Sequence, residues 1–262
     1  MKEYSISTVI GDATIAHNIR LGKTRNKNVD RTKEKENLIF ETIYNEARTQ
    51  RQIEKRKIDF LKNINWLSEE IERYNTGKKP SRKTSIEKEL SKSHYNQNTR
   101  QYENRMKEKQ IIIQIGNMDH NPKDYGDEKA INEAYKRVYE AFKKIPGIYI
   151  TDARVHNDET TPHLNICFYT IDRKEQKQGL QIDLSTNNWI NKHFGDFKTF
   201  RNGIIETTKR AAARENIKAE YKANPKHPAR INDIEEWKQI QIENDLKTRD
   251  WEEQWLQKMN NR

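Results

Sequence analysis

Residues 148–171 read IYITDARVHNDETTPHLNICFYTI, and this stretch decides the fold. Its two ends, residues 148–156 and 163–171, are apolar runs rich in β-branched and aromatic side chains, which predict two β-strands. Six residues separate the runs, and Pro162 among them suits a turn. Two strands joined by so short a connection must be antiparallel, because a parallel pair needs a crossover of about a dozen residues or more.

The chain on either side of this pair mixes strands and helices. Apolar residues at helical spacing predict one especially long helix at 32–75, which Gly77 and Pro80 end, and residues 78–108 read as a loop or a partly ordered helix. The other predicted elements are strands at 3–10 and 111–115 and helices at 127–145, 186–216 and 233–258. We therefore predict an α+β fold, in which helices pack on an antiparallel β-sheet and a helical extension follows at the C-terminus.

The composition favours a nucleic-acid partner. The 262 residues carry a net charge of +10, and hydrophobic residues make up 32% against 34% charged, so the core is modest and the surface highly charged. A basic excess indicates an anionic partner, nucleic acid first and a membrane surface second. Seventeen basic and nine acidic residues fall in 48–109, whereas 229–262 are net acidic. We expect the polyanion contact in that basic block, with a merely solvated, lysine-rich helix as the alternative.

The cysteine count and the hydropathy pattern exclude two protein classes. Cys167 is the one cysteine of the sequence, so no intramolecular disulfide can form, and its apolar neighbours predict that it is buried. The sequence shows neither a secretory signal nor an apolar stretch long enough to span a bilayer. We expect a cytoplasmic protein without membrane insertion.

Two histidines, two carboxylates and an amide fall within ten residues around the predicted turn. His163 and Asn165 share one face of their strand, and a hairpin would bring His156 beside His163. Two imidazoles and an amide oxygen would then converge on a divalent ion, and mixed nitrogen and oxygen ligation favours Mn²⁺ or Mg²⁺. Asp158 and Glu159 lie in the turn, where a carboxylate can orient a ligand histidine. The alternative is a hairpin turn whose polar residues have no role.

A second cluster, His17-Asn18-Ile19-Arg20, is weak alone but gains meaning beside the first. Together they resemble the Mob/Pre family of plasmid mobilisation and recombination relaxases, over about residues 1–172. Three motifs of the family are matched in order. His17 to Arg20 match His-Asn-x-Arg, and Asn26 to Asp30 with Asn37-Leu38 match Asn-Lys-Asp-Ile-Asp with Asn-Tyr. His156 to Asn165 match His-x-Asp-Glu-x-x-Pro-His-x-His. Three positions depart from these motifs: Asn28 stands for aspartate, Leu38 for tyrosine, and Asn165 for the third metal histidine.

The resemblance implies a fold like that of the His-hydrophobic-His endonucleases and a metal-dependent nicking and joining of single-stranded or hairpin DNA at a plasmid transfer origin. It further implies a covalent 5′-phosphoryl enzyme formed by attack of His17. Glu159, with Asp158 as the alternate, would be the base or orienter, and Arg20 could clamp a phosphate. A tyrosine nucleophile, as in many relatives, is the rival, and Tyr4 and Tyr44 lie nearest His17 in sequence.

The resemblance also assigns binding residues and partners. The predicted domains are a relaxase-like nicking domain at 1–225 and a helical extension at 226–262, and beyond about residue 172 the resemblance adds only a generic helical continuation. The tryptophans of the extension suggest a packing or protein-contact surface, which would suit a homodimer. Accessory or coupling proteins would be further partners, and the gene would be carried by a bacterial plasmid or mobile element. The expected metal ligands are His156, His163 and Asn165, and the expected DNA contacts are Asn18, Arg20, Asn26, Lys27 and Asn37.

Three rival functions remain open from the sequence. A rolling-circle replication initiator would use the same chemistry at a different origin. A non-catalytic DNA-binding protein could keep the scaffold, and Asn165 in place of a ligand histidine is the feature that invites this reading. A basic RNA-binding module is the third rival, although the sequence shows no RNA-binding signature.

Overall fold

The computed structural model describes residues 3–21, 29–96, 101–104, 107–117, 119–174 and 178–221. Within these ranges the fold is α+β, with a mostly antiparallel sheet and helices packed on it, as predicted. The predicted helix at 233–258 and the domain boundary at residue 225 lie outside the described residues, so both stay predictions. Among the described helices, none is both long enough and apolar enough to cross a membrane.

A six-stranded sheet holds the centre of the described part, in the order β10-β1-β5-β7-β6-β2. The strands are β1 (Glu3–Asp12), β2 (Leu38–Thr42), β3 (Ser93–Asn96), β4 (Gln101–Asn104), β5 (Lys109–Ile115), β6 (Ile148–His156), β7 (His163–Thr170), β8 (Asp172–Arg173), β9 (Ile182–Asp183) and β10 (Lys218–Tyr221). Neighbours in the sheet are antiparallel except β1 and β10, which are parallel. Two small ribbons, β3-β4 and β8-β9, stand apart from it.

Helices cover both faces of this sheet. They are α1 (Ile15–Asn18), α2 (Gln50–Lys62), α3 (Asn65–Asn75), α4 (Ile86–Ser91), α5 (Glu128–Lys143), α6 (Thr186–Phe194) and α7 (Phe197–Arg214). One face packs on α5, α6 and α7 and forms the main hydrophobic core. The other face meets α1 and α2 through a smaller cluster of Ile15, Ile53 and Cys167.

The hairpin predicted from residues 148–171 is confirmed, with β6 and β7 antiparallel and His156 paired with His163. Because helices lie on both faces, all of β7 is buried. Leu164, Ile166 and Phe168 enter the main core. The alternate residues of β7 therefore face α1 and α2, and this second face carries the polar groups of the site.

The single helix predicted at 32–75 is wrong. The segment contains a 3₁₀ helix (Arg31–Glu36), the strand β2, and the separate helices α2 and α3. The β-branched and aromatic run at 38–42 pairs with β6 as a strand. A separate helix, α2, begins after a capping box at Thr49. Asn63 ends α2, and since the apolar stripe keeps its spacing across this break, periodicity alone could not reveal it.

Further helix boundaries and several strands were also missed. The predicted helix at 186–216 is two helices, because Gly195 adopts a positive φ of 83° and Asp196 caps α7 through Thr199. The segment 78–108 is not a loop throughout, since it contains α4 and the β3-β4 ribbon. The short strand β10 adds to the edge of the sheet beside β1.

Candidate metal and nucleophile site

The end of the β6-β7 hairpin brings the two predicted ligand histidines together. His156 closes β6, His163 opens β7, and their ring centroids lie 5.1 Å apart. Asn165 follows two residues later on the same face of β7, as predicted. His156, His163 and Asn165 are all buried. The prediction that the hairpin gathers these side chains on one face is therefore confirmed.

Backbone and side-chain hydrogen bonds from earlier segments fix the hairpin turn. The Asn37 side-chain oxygen accepts a hydrogen bond from the Asp158 amide at 2.9 Å, and the Asp30 amide donates to the Asp158 carbonyl at 2.7 Å. Asn157 donates its side-chain amide to the carbonyl of Glu36 at 3.0 Å. The described part of the second sequence motif, Val29, Asp30 and Asn37-Leu38, thus lies beside the third, and Asn37, predicted to contact DNA, holds the turn that carries Asp158.

Two residues that sequence reasoning missed hold the same turn from the other side. The Lys123 ammonium donates to the Glu159 carbonyl at 2.9 Å, and the Asn121 side chain donates to the Thr160 carbonyl at 2.6 Å. Both stand in a 3₁₀ turn before α5, where no motif marks them. Pro122 and the Asn121 cap of this turn were the local signals available, and they indicate a turn without indicating its partner.

The four-residue helix α1 brings His17 to the turn from a distant part of the sequence. His17 Nε2 lies 3.3 Å from Oε1 of Glu159, and its ring centroid lies 5.8 Å from that of His156. The His17 side chain is 33% exposed, whereas that of Glu159 is 12% exposed. A substrate could therefore reach the imidazole of His17 while its carboxylate partner stays covered.

Arg20 lies at the centre of the site and contacts each acidic group in it. Its Nε and Nη2 donate to the two carboxylate oxygens of Asp158 at 2.8 and 2.5 Å, and Nη2 also donates to Glu159 at 2.8 Å. The same Nη2 lies 2.9 Å from Nδ1 of His156, and Nη1 lies 3.2 Å from Nε2 of His17. Arg20 has a positive φ of 55°, a conformation costly for a side-chain-bearing residue, so these ion pairs must outweigh backbone strain.

The carboxylates are held in their charged form. Burial alone would raise the pKa of Asp158, but hydrogen bonds from His156 and Arg20 outweigh it and the pKa is lowered. For Glu159, burial is likewise outweighed by hydrogen bonds from His17 and Arg20, and its pKa falls to about 2. Two carboxylates against one guanidinium leave this cluster with one excess negative charge when the histidines are neutral. Such a cluster attracts a cation.

Both buried imidazoles are held neutral. Burial lowers the pKa of His156 to about 4, and burial also lowers the pKa of His163. A neutral imidazole is the form that binds metal ions. The site therefore presents two uncharged histidines at neutral pH, at a short distance from an anionic cluster.

The nitrogens available to a metal ion can be read from the hydrogen bonds of these rings. His163 Nδ1 lies 3.3 Å from the Thr161 carbonyl, an acceptor, so Nδ1 carries the proton and Nε2 keeps its lone pair. His156 Nε2 is buried and has no hydrogen-bond partner among the described residues. Its Nδ1 lies 2.9 Å from Nη2 of Arg20, which can only donate, so the proton of neutral His156 lies on Nε2 and would have to move to Nδ1 before Nε2 could bind an ion. Nε2 of His163 and, after this shift of the proton, Nε2 of His156 are the imidazole nitrogens that could bind a divalent ion.

A His/Asp/Glu group that could hold a metal ion is formed by His156, Asp158 and Glu159, whose ligand atoms lie within 4.8 Å of one another. Arg20 Nη2 already contacts all three of these residues. The guanidinium and a metal ion would therefore compete for the carboxylate side of the group. The imidazole side, formed by His156 and His163, fits the ion better.

The amide of Asn165 has two partners in this structure. Its nitrogen donates to the side-chain oxygen of Asn18 at 2.7 Å, and its oxygen lies 3.8 Å from the Cys167 sulfur. The ligand role predicted for Asn165 stays a prediction. Asn18 is fully buried in this structure, and its expected DNA contact stays a prediction.

The other predicted site residues are placed as follows. Asn26 and Lys27 lie outside the described residues, so their DNA contacts stay predictions. The Arg20 guanidinium is engaged within the site instead of facing outward as a free phosphate clamp. The rival nucleophiles Tyr4 and Tyr44 are buried, and their hydroxyls donate to Asp127 at 2.5 Å and to Glu108 at 2.7 Å.

No protein-family model and no curated protein matches this chain. Among solved structures, it is similar to the MobM relaxase domain (MOBV; Mob_Pre) bound to pMV158 oriT DNA and Mn at pH 6.8, at 15% identity and a TM-score of 0.46. That similarity covers 90% of this chain and 98% of the MobM chain. A MobM structure at pH 5.5 gives 15% identity and a TM-score of 0.45. Mob/Pre is also the family that the sequence motifs resemble, but values this low do not assign its activity or ligands to this chain.

Proposed function

We propose that this protein is a Mob/Pre-type relaxase, which cuts one strand of DNA at a plasmid transfer origin and rejoins it through a covalent protein–DNA intermediate. The observation that carries the proposal is the pairing of His17, a partly exposed imidazole, with the buried carboxylate of Glu159 at 3.3 Å. Beside this pair lie the two neutral histidines His156 and His163. The proposed nucleophile, its proposed orienter and a candidate metal site therefore lie close together, although His17 is far from the hairpin in the sequence.

His17 supplies the nucleophile in this scheme. When the Nε2–H group of His17 donates a hydrogen bond to Glu159, Nδ1 keeps its lone pair. Nδ1 is then the nitrogen that attacks the scissile phosphorus. A nitrogen–phosphorus bond forms as the bond from phosphorus to the 3′-oxygen breaks, and the leaving oxygen takes a proton from solvent. A later 3′-hydroxyl attacks the same phosphorus, releases His17 and restores the phosphodiester.

Glu159 stabilises the charge that develops on His17. Attack by Nδ1 leaves a positive imidazolium, and the ionised carboxylate of Glu159 stands next to it. Since the pKa of Glu159 is about 2, it remains charged at any pH at which the protein would work. Its role resembles that of the carboxylate in a hydrolytic triad, which fixes the tautomer and stabilises the imidazolium without taking up a proton.

Arg20 holds His17, Asp158 and Glu159 in position relative to one another. Its guanidinium binds Asp158 and Glu159 together, and Nη1 lies beside the same Nε2 atom of His17 that faces Glu159. Because an arginine can only donate hydrogen bonds, its approach to Nε2 opposes a proton on that atom, whereas Glu159 favours one. The balance between these two neighbours selects the tautomer of His17.

His156 and His163 are the residues proposed to hold a divalent ion, Mn²⁺ or Mg²⁺. When bound, such an ion neutralises charge on the scissile phosphate and makes the phosphorus more open to attack. The protein's own contribution is to keep both imidazoles neutral by burial. Nε2 of His163 keeps its lone pair, and Nε2 of His156 has no hydrogen-bond partner among the described residues.

The basic surface of α2 supports a DNA substrate. Ile53 of α2 and Ile15 of α1 belong to one small hydrophobic cluster, so α2 is a close neighbour of the helix that carries His17. Arg51, Lys55 and Arg56 of α2 are exposed. Exposed cations near the nucleophile attract the phosphate backbone without reading its sequence.

The test uses single-stranded oligonucleotides that cover candidate transfer origins from the protein's own genetic element, labelled at either end. Wild type and His17→Ala are incubated with Mn²⁺, Mg²⁺ or chelator, and the products are separated under denaturing conditions. We expect metal-dependent cleavage with the 5′-phosphate fragment bound to wild type and neither product with the variant. Tight, salt-sensitive binding with no cleavage in either metal would leave a DNA-binding protein without nicking activity.

A further inference from the structure

A closed set of three buried side-chain hydrogen bonds joins α1 to β7. Asn165 donates to the side-chain oxygen of Asn18 at 2.7 Å, and Asn18 donates to the Cys167 sulfur at 2.8 Å. The Cys167 thiol in turn faces the Asn165 oxygen at 3.8 Å. All three side chains are 0 or 1% exposed. We call this set the amide–thiol ring.

The amide–thiol ring is placed where it can control the position of His17. Asn18 is the residue directly after His17, and α1 has four residues, far fewer than the dozen or so that an isolated helix needs to be stable. Its placement must therefore come from contacts with the rest of the protein. Arg20 ties the end of this segment to the turn, and Ile15 packs beside Cys167. Asn18 provides the attachment to the sheet itself.

We propose that Asn165 and Cys167 are positioning residues, which hold α1 against β7 and so set the distance between His17 and Glu159. The kinetic part of this inference rests on the proposed nicking function. Both polar ends of the Asn165 amide are engaged in the ring, which is why we assign it to α1 and not to the metal ion. If the amide–thiol ring were broken, the buried Asn165 amide would lose these hydrogen-bond partners and the stabilisation that they provide.

Cys167→Ser and Cys167→Ala form a matched pair that tests the ring. Serine can accept from Asn18 and donate to Asn165, so the ring survives, whereas alanine removes both bonds. A buried cysteine with no role beyond filling apolar space gives the opposite ranking, since alanine is then tolerated better than a buried hydroxyl. We expect Cys167→Ser to keep a nicking kcat within about threefold of wild type and Cys167→Ala to lose roughly tenfold or more, with KM little changed. Equal kcat values for alanine and wild type, or a serine variant slower than the alanine variant, would overturn the proposal.

Metal affinity separates the positioning role of Asn165 from the ligand role. The free Mn²⁺ concentration is followed by electron paramagnetic resonance as metal is added to wild type, Asn165→Ala and His163→Ala without DNA. We expect Asn165→Ala to bind Mn²⁺ within about twofold of wild type, while His163→Ala, the control, binds it at least tenfold more weakly. A tenfold loss in Asn165→Ala would make Asn165 a ligand and refute the positioning role.

Hydrogen exchange of the α1 amides gives a readout that does not depend on nicking. The amides of Asn18 and Ile19 donate to the carbonyls of Thr14 and Ile15. We expect these amides to exchange at least tenfold faster in Cys167→Ala than in Cys167→Ser, while the amides of α5 do not change. This result would support the ring even if the protein nicked no DNA. Equal exchange in the two variants would overturn the ring whatever the activity.

Discussion

Nε2 of His17 lies 3.3 Å from Oε1 of Glu159, and these two residues are separated by 142 positions in the sequence. The contact depends on two independent supports. The turn that carries Glu159 is fixed by residues 29–37 and by Lys123, and the helix that carries His17 is fixed by Arg20 and Asn18. The pair is thus held from both sides before any substrate arrives, which is what a preorganised nucleophile needs.

Removing the charge of Glu159 while keeping its shape tests its stabilising role. We expect Glu159→Gln to lower kcat by about 100-fold, because the imidazolium formed on His17 loses its counter-ion. Binding of single-stranded DNA, measured by fluorescence anisotropy, is expected to be unchanged or slightly tighter. Glu34→Gln, at an exposed position of the 3₁₀ helix, is the control. A Glu159→Gln variant that nicks at the wild-type rate would remove Glu159 from the mechanism.

The stability of the protein is expected to fall as the pH is lowered, for two reasons that act in succession. The pKa of His156 is lowered from 6.5 to about 4, so below pH 6.5 the unfolded chain takes up a proton that the folded protein refuses. The pKa of Glu159 is lowered from 4.5 to about 2, so its ion pair contributes stability above pH 4.5 and loses it as the pH falls towards 2. Both effects favour unfolding in acid.

Urea unfolding at pH 7, 5 and 3 measures this dependence. The glutamine at position 159 of the Glu159→Gln variant carries no charge. The stability of this variant is therefore expected to fall less than that of wild type between pH 4.5 and pH 2. Parallel curves for wild type and variant across this interval would show that Glu159 does not have a lowered pKa in the folded protein.

The sequence was sufficient to predict the hairpin and its cluster of polar residues, but not what lies at their centre. His156, His163 and Asn165 follow from the twofold periodicity of strands and a six-residue turn, which are local properties. The position of Arg20 beside Asp158 depends on how α1 packs, and 138 residues separate the two. No spacing rule reaches that far, so Arg20 was predicted as a DNA clamp instead of the group that binds both carboxylates.

The helix boundaries failed for a related reason. An apolar stripe from residue 60 to residue 74 is real, yet it is shared by α2 and α3, because both pack on the same small cluster. The strand β2 was not predicted from the sequence. Its residues Leu38 and Ile39 are exposed, and the segment is a strand because it pairs with β6. Tertiary pairing decided both cases, and local propensity did not.

Replacing Arg20 by lysine is expected to destabilise the protein strongly. A lysine ammonium cannot bridge Asp158 and Glu159 with the three hydrogen bonds that the guanidinium makes to them, and it leaves buried carboxylate oxygens unpaired. A buried acceptor left without its donor costs about 1–3 kcal/mol, and more when it is charged, which urea unfolding at pH 7 would detect. Arg56→Lys, at an exposed position on α2, should change the unfolding free energy by less than about 0.5 kcal/mol. A loss below about 1 kcal/mol for Arg20→Lys would argue against its central position.

Neutralising the basic face of α2 tests the DNA surface. We expect the combined change of Arg51, Lys55 and Arg56 to glutamine to weaken binding of single-stranded DNA of any sequence. The slope of log K against log salt should become shallower by about 2, since each lost phosphate contact contributes about 0.7. The control changes Lys129, Lys136 and Lys144, exposed residues on and beside α5, the helix that packs against the opposite face of the sheet. Equal slopes for wild type and the α2 variant would place the DNA elsewhere.

The central claim is that His17 forms the covalent bond to DNA, and its most direct test is to locate that bond. Wild-type protein is reacted with a 3′-labelled oligonucleotide and Mn²⁺, digested with protease and nuclease at alkaline pH, and the nucleotide-bearing peptide is sequenced by mass spectrometry. The account predicts a phosphoramidate on His17 that is stable in alkali and hydrolysed in mild acid. An acid-stable adduct on a tyrosine, or cleavage with no adduct, would contradict it.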